Sequence, residues 1–237
     1  MRIYQLPADA AGVLFDVDGT LVDTTYVHTV AWWEALHQAH VCVPMAQIHR
    51  SIGMGSDKIL DHLLGEDRDT DSDDKVIAAH SSLYSVYWER LQPLPGAADV
   101  LRACARRGLR VVLASSASAT DLAVLRRALD ADDVITQATS SGDVDASKPA
   151  PDILQAALQR SDLRAERVVF VGDSVWDVIA ASHLNISCIG LTCGGTSAAE
   201  LLEAGAVEVF RSPAALLESF DESAIGKLIA GQETAGS

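Results

Sequence analysis

Short apolar runs and helical stripes alternate along this chain. Gly12 to Phe15 reads as a buried strand, three consecutive apolar residues behind a glycine, and it stops abruptly on Asp16-Val17-Asp18-Gly19-Thr20. From Thr24 or Thr25, either of which can cap a helix, Val27, Val30, Ala31, Ala35 and Leu36 follow the 3.6-residue period. Pro44 suits the first turn of a second, short helix that ends before Gly53. Ser56 caps a third, with Asp57 in its first turn, Ile59, Leu60, Leu63 and Leu64 as its stripe and Gly65 as its stop. A fourth and longer helix carries Val76, Ile77, Leu83, Tyr84, Tyr87 and Leu91. No stretch between 24 and 92 alternates as a strand would, which predicts an all-helical insert.

Pro93-Leu94-Pro95-Gly96 punctuates the chain, and strand and helix then alternate. Helices are predicted over Ala97 to Arg107, Ala119 to Leu129, Pro151 to Gln159, Val175 to His183 and Pro213 to Phe220, with another ahead of the last strand. Strands are predicted over Arg110 to Ala114, Val134 to Thr136, Val168 to Val171, Ser187 to Leu191 and Val207 to Phe210. Repeated β-α-β units imply the α/β class: a Rossmann-like three-layer α/β/α core with a mostly parallel sheet. Residues 1–23 and 93–237 form that core and 24–92 the inserted unit, while the tail from Gly226 onward reads as frayed.

With 49% hydrophobic and 22% charged residues the chain can bury a sizeable core, so it reads as an ordinary globular protein. The net charge of −15 argues against nucleic acid and anionic membranes as partners, since phosphate backbones need clustered Lys and Arg. The opening MRIYQLPADA lacks the apolar core of a signal peptide, and no apolar run is long enough to span a bilayer. Cys42, Cys104, Cys188 and Cys193 form no C-x-x-C pair and read as reduced thiols of a cytoplasmic protein. The acidic run Glu66 to Asp74 invites a calcium reading, with Asp69, Asp71 and Asp73 at the first three ligand positions of an EF-hand loop. The glycine position holds Asp74, however, and the bidentate glutamate position holds His80. A solvated acidic loop ahead of a helix is the expectation.

Loops beyond the carboxyl ends of the strands of an open α/β sheet form its ligand crevice. Asp16 and Asp18 lie there, and two acids so close need a cation between them or a shared proton. The strand RVVLA runs into Ser115-Ser116, Ser147-Lys148-Pro149 holds a lysine in a proline-stiffened turn, and VVFVG runs into Asp173-Ser174 with Asp177 four residues on. Taken singly these are a turn, a surface lysine and a helix cap. In this order, each beyond a strand, they form one site.

That set resembles the haloacid dehalogenase superfamily of hydrolases, on its phosphatase branch with a C1-type cap, like phosphoglycolate phosphatases and β-phosphoglucomutases. The likeness covers essentially the whole chain: D-x-D-G-T at Asp16 to Thr20, the strand-ending Ser115, Lys148 in KPxPD, G-D-S-x-x-D from Gly172 to Asp177, and the helical insert as the cap. The resemblance implies that Asp16 is a nucleophile forming an aspartyl-phosphate and that Asp18 is the general acid and base. It implies Mg²⁺ held by Asp16, the backbone carbonyl of Asp18 and Asp173. Ser115 and Lys148 would grip the phosphoryl oxygens, helped by Ser116 and by N–H groups around Asp18 and Gly19, with Thr20 and Asp177 in support. Asp177 would orient Lys148 or a metal-bound water. Dehalogenating members lack the second acid, so Asp18 points to phosphate esters.

The cap, hinged near Val22-Asp23 and Gln92-Pro95, is expected to close over a small phosphorylated metabolite. Its loop Gly53-Met54-Gly55-Ser56-Asp57-Lys58 would enter the crevice, with Met54, Gly55, Ser56 and Lys58 contacting substrate and His28 as the other cap candidate. The remaining histidines stay unassigned, and Trp32 and Trp33 read as packing within the cap. The expected activity is hydrolysis of a sugar phosphate or phosphoglycolate-type monoester by a monomer or weak homodimer. A sugar-phosphate mutase is the alternative, although Ser56 stands where mutases of the family keep an arginine. A catalytically silent binding protein is a further alternative.

Overall fold

The computed structural model describes residues 10–144 and 146–235. The leading nine residues of the expected core, on which the signal-peptide reading rests, and the last two residues lie outside them. β1 (Gly12–Phe15), β2 (Arg110–Ala114), β3 (Ile135–Thr139), β4 (Val168–Gly172), β5 (Ser187–Leu191) and β6 (Glu208–Phe210) make one parallel sheet in the order β3-β2-β1-β4-β5-β6. The chain is an α/β protein of the expected class, and β1, flanked by strands on both sides, has all of its residues buried. The strand alternation assigns the two faces. Val13, Phe15, Val111, Leu113, Val169 and Val171 share one apolar cluster, and Leu14, Val112, Phe170 and Cys188 share the other.

The helices follow in chain order: α1 (Thr25–Gln38), α2 (Met45–Ser51), α3 (Ser56–Leu64), α4 (Asp73–Ser85), α5 (Ala97–Arg106), α6 (Ala119–Leu129), α7 (Asp152–Ser161), α8 (Val175–Ser182), α9 (Ala198–Ala204), α10 (Pro213–Glu218) and α11 (Ala224–Ala235). The first four carry their own apolar cluster, with Trp32, Leu36, Ile48, Ile59, Leu60 and Val76 buried in it. The two segments that join this insert to the sheet pair with each other. Asp23 N–H donates to the Gln92 carbonyl (3.0 Å) and Leu94 N–H to the Leu21 carbonyl (2.8 Å). No helix among the described residues is long and apolar enough to cross a membrane. All four cysteines are free, as expected.

Several local expectations are corrected. Val30 is exposed, and α1 instead buries Thr25, Thr29 and Trp32, because it packs against the sheet side as well as the insert. Thr24 occupies the N-cap position of α1, but its hydroxyl makes no cap bond; it reaches Asp18. Gly55, not Ser56, precedes α3 as its cap, and α2 starts one residue after Pro44. The fourth helix stops at Ser85, and Leu91 follows a separate 3-10 turn at Trp88–Arg90. β3 extends to Thr139 by pairing with β2. The tail from Gly226, expected to fray, is helical as far as Ala235: α11 buries Ile225 and Ile229 in the larger cluster, so tertiary contact orders a segment whose local sequence is weak.

Candidate active site

β1 lies between β2 and β4, with Phe15 in register with Leu113 and Val171. The residues that follow each strand therefore leave the sheet side by side: Asp16, Ser115 and Asp173. Asp16 N–H donates to the Val171 carbonyl at 2.9 Å, which fixes the nucleophile candidate at the sheet edge. Gly19 then turns the chain at φ +78°, a conformation that favours glycine, and a Cβ there would sit 2.6 Å from Asp173 Oδ2. Its N–H donates to the Val22 carbonyl at 2.8 Å. Gly19 is thus not a free donor for a phosphoryl oxygen, a correction to the expected cradle: its contribution is the turn.

That turn places Thr20 Oγ1 2.8 Å from Asp173 Oδ1 and 3.2 Å from Asp16 Oδ2. Lys148, fully buried, puts Nζ 2.5 Å from Asp16 Oδ1 and 2.8 Å from Asp177 Oδ1. Asp177 also closes the first turn of α8 by accepting from the Ser174 N–H (3.1 Å) and hydroxyl (2.7 Å). Asp18 turns the other way, accepting from Thr24 Oγ1 at 2.8 Å and meeting His28 Nε2 at 3.2 Å. His28 Nδ1 in turn meets His80 Nε2 at 3.2 Å, and both rings stack against Tyr84.

Burial pushes the Asp16 carboxyl up to about 7 against the pull of Lys148, with the charges of Asp177 and Asp18 adding to the rise. Asp173 is pushed well up by burial and then by Asp177 and Asp16. Burial would lower the Lys148 ammonium, but Asp16 and Asp177 outweigh it and raise it. For Asp18 burial acts upward, yet the hydrogen bond and charge of His28, with the Thr24 bond, hold it below the usual carboxylate range. His80 is driven well down by burial and then by His28, which keeps it neutral. Oxygens of Asp16, Asp173 and Asp177 lie within 4.8 Å of one another, all three residues buried. An all-oxygen, net-negative set with one lysine beside it fits a hard divalent cation such as Mg²⁺. Asp177, expected only in support, stands in this set, whereas the Asp18 side chain lies outside it.

A cleft of about 110 Å³ opens on Asp16 and Asp18. From the insert His28, Trp32, Met54, Gly55, Ser56 and His80 line it, and from the core Ser116, Ser118, Asp121 and Ser141. Lys58 is not among its lining residues. Ser115 is fully buried behind the cleft, its Oγ accepting from Ala117 N–H at 3.0 Å, while the buried Ser116 Oγ has no partner among the described residues. The insert loop is seated on the core: Gly55 N–H donates to Ser147 Oγ (3.1 Å), and Ser147 donates through N–H (3.2 Å) and Oγ to Asp57. A second cavity, about 240 Å³, reaches Asp173 from the other side between His49, His62 and Trp176. Neither Asp16 nor Asp18 lines it.

Thr24, His80, Ser118, Asp121 and Ser141 were not legible as site residues. Thr24 reads as a cap, Ser118-x-x-Asp121 as an ordinary helix start, and His80 has no spacing signal because its partner is 52 residues away. Trp32, expected as packing, is buried in the insert and also lines the cleft.

The sequence model of haloacid dehalogenase-like hydrolases matches residues 10–185. The chain belongs to this family. It is 31% identical over 192 residues to the phosphoglycolate phosphatase of Yersinia pestis, spanning 77% of this chain and 81% of that protein. With the phosphoglycolate phosphatase of Escherichia coli K12 it shares 30% over 210 residues, 78% of this chain and 82% of the relative. The crystal structure of a hydrolase from Pseudomonas syringae superposes with a TM-score of 0.85 at 31% identity, covering 90% of this chain and 98% of that one. The chain is accordingly an enzyme, a hydrolase of this family, and the curated relatives named are phosphatases.

Proposed function

We propose that this haloacid dehalogenase-like hydrolase cleaves small phosphate monoesters in the presence of Mg²⁺, through an aspartyl-phosphate on Asp16. The observation that carries the reading is a buried carboxylate, Asp16, held by Lys148 at 2.5 Å at the mouth of a cleft that a second acid, Asp18, also lines. The phosphatase relatives support it. Asp16 attacks phosphorus as the bond to the ester oxygen breaks, and that oxygen takes a proton from Asp18. Water then attacks the aspartyl-phosphate and gives a proton to Asp18, releasing inorganic phosphate and restoring Asp16. An entering phosphoryl dianion is a like charge beside Asp18 and raises its proton affinity, the direction an acid needs.

Lys148 and Ser115 with Ser116 orient the phosphoryl group, and His28 with Thr24 hold the Asp18 carboxylate in place. Asp16, Asp173 and the Asp18 carbonyl would hold Mg²⁺, with Asp177 in reach, and the ion would neutralise charge on the phosphoryl oxygens. Residues 24–92 act as the cap, moving on the paired segments at Val22-Asp23 and Gln92-Pro95 and excluding water from the first step. Hydrolysis is preferred to the mutase alternative, since a mutase must hold a second phosphate and no Lys or Arg lines the cleft among the described residues.

The test is Asp16→Asn, which keeps shape and removes the nucleophilic charge. Phosphate release from a phosphomonoester panel in Mg²⁺ should fall by at least about 10³-fold with an unchanged circular dichroism spectrum. Near-normal turnover by the variant would reject the covalent route.

A further inference from the structure

We propose that the alcohol released by this enzyme is small, neutral and hydroxyl-bearing, a polyol or sugar rather than a carboxylate-bearing alcohol, and that Asp121 selects it. The inference rests on the phosphatase reading above and concerns the part of the cleft beyond the phosphoryl group. That part holds side-chain hydroxyls at Ser56, Ser81, Ser118 and Ser141 and the carboxylate of Asp121, against the apolar Trp32 and Met54. No Lys or Arg lines it among the described residues.

Lys58, in the insert loop, is not among the lining residues of the cleft, and the cations closest to the buried acids are committed elsewhere. Lys148 is shared between Asp16 and Asp177. Arg50 is paired with Glu200 on the side of the second cavity. The two histidines of the cleft spend their facing nitrogens on Asp18 and on each other, and burial keeps His80 uncharged. The N-terminus of α6 would be a positive element, but its own residues already cover it. Ser118 Oγ accepts the Asp121 N–H at 3.1 Å and lies 2.6 Å from Asp121 Oδ2. A substrate carboxylate would therefore leave water to face Asp18 and Asp121 with no counter-charge. A hydroxyl meets the reverse situation. Asp121 lines the cleft with a carboxylate whose one hydrogen bond among the described residues is from Ser118 to Oδ2, which leaves it acceptor capacity for a substrate hydroxyl.

The experiment measures kcat/KM of the purified full chain in Mg²⁺ with glycerol phosphate, a tetritol phosphate, glucose 6-phosphate, phosphoglycolate and 3-phosphoglycerate, with p-nitrophenyl phosphate as the reporter of the chemical step. The best neutral ester should exceed both carboxylate substrates by at least about tenfold. Asp121→Ala should lower the ratio of that ester to the aryl phosphate by about tenfold, mainly through KM. Asp121→Asn, which keeps the shape of the side chain and an acceptor oxygen, should recover part of the loss and carries the test if the alanine variant is unstable. Asp121→Lys should raise phosphoglycolate relative to the neutral esters. A carboxylate substrate that equals or surpasses every neutral ester, while the aryl phosphate is turned over, overturns this assignment alone. So does a substrate ranking unchanged by all three substitutions. Failure to turn over the aryl phosphate or any ester overturns the phosphatase reading and this inference with it.

Discussion

At the scale of single residues, Lys148 compensates two buried carboxylates at once. It is fully buried, and it separates two buried carboxylates that would otherwise face each other across a few ångströms. Removing one member of such a set leaves the others desolvated and unpaired, which costs more than the intact set contributes. Lys148→Met should therefore destabilise the metal-free protein by about 3–5 kcal/mol, read by denaturant unfolding, and lower turnover by about 10²-fold or more. A loss of stability below about 1 kcal/mol would mean that the buried carboxylates do not depend on the lysine for compensation. Thr20 acts at the same scale in a smaller way, its hydroxyl lying between Asp16 and Asp173 in place of a second cation.

Elements set how closely these residues approach. The short turn Thr192–Gly194 after β5 passes directly over Asp173, and a Cβ on Gly194 would overlap that carboxylate. Gly194→Ala must displace Asp173, so the Mg²⁺ concentration for half-maximal activity should rise by about tenfold while the fold survives. An unchanged Mg²⁺ requirement would remove Asp173 from the metal site. The last helix illustrates the opposite dependence, of an element on its surroundings. α11 contains two glycines in its path and has little local support, yet Ile225 and Ile229 are buried against the sheet. Ile225→Ala should cost about 3 kcal/mol in denaturant unfolding, as for a core position and unlike a frayed tail, where the effect would be near zero.

For the whole molecule, buried acids gathered at one end of the sheet make stability depend on pH and on metal. Asp16 and Asp173 have raised folded-state affinities for protons, so above about pH 4 these two groups hold more protons in the folded chain than in the unfolded one. The Asp16 contribution is full below about pH 4 and is lost as pH rises through about 7, and that of Asp173 is lost in the same direction. Asp18 is shifted downward and contributes the other way, gaining above about pH 4, as do Asp133, Asp143 and Glu200 outside the site. Mg²⁺ binds the deprotonated forms, so the midpoint gained on adding Mg²⁺ to metal-free protein should be larger at pH 8 than at pH 5. Equal gains at both values would mean that the cation does not bind these carboxylates. Much of this architecture is legible in the chain itself. Strand runs such as GVLF and VVFVG are short, apolar and locally marked, so they and the acids that end them, Asp16 and Asp173, can be placed without coordinates, as can Lys148 in its proline turn. These signals are local: they depend on a strand ending and a loop beginning within a few residues. The site's partners across the insert are not local. Thr24 leaving its cap for Asp18, His80 meeting His28 from another helix, and Asp121 lining the cleft all arise from how helices pack, which spacing along one segment does not encode. The same holds for Gly19, whose N–H is consumed inside its own turn, and for α11, ordered only by the core it covers. The sequence by itself determined the sheet, the inserted helices and the chemistry at the strand ends, because hydrophobic period and turn residues act over a few positions. Tertiary structure alone decided which side chains surround the leaving group, because that surface is assembled from segments brought together only after the chain has packed.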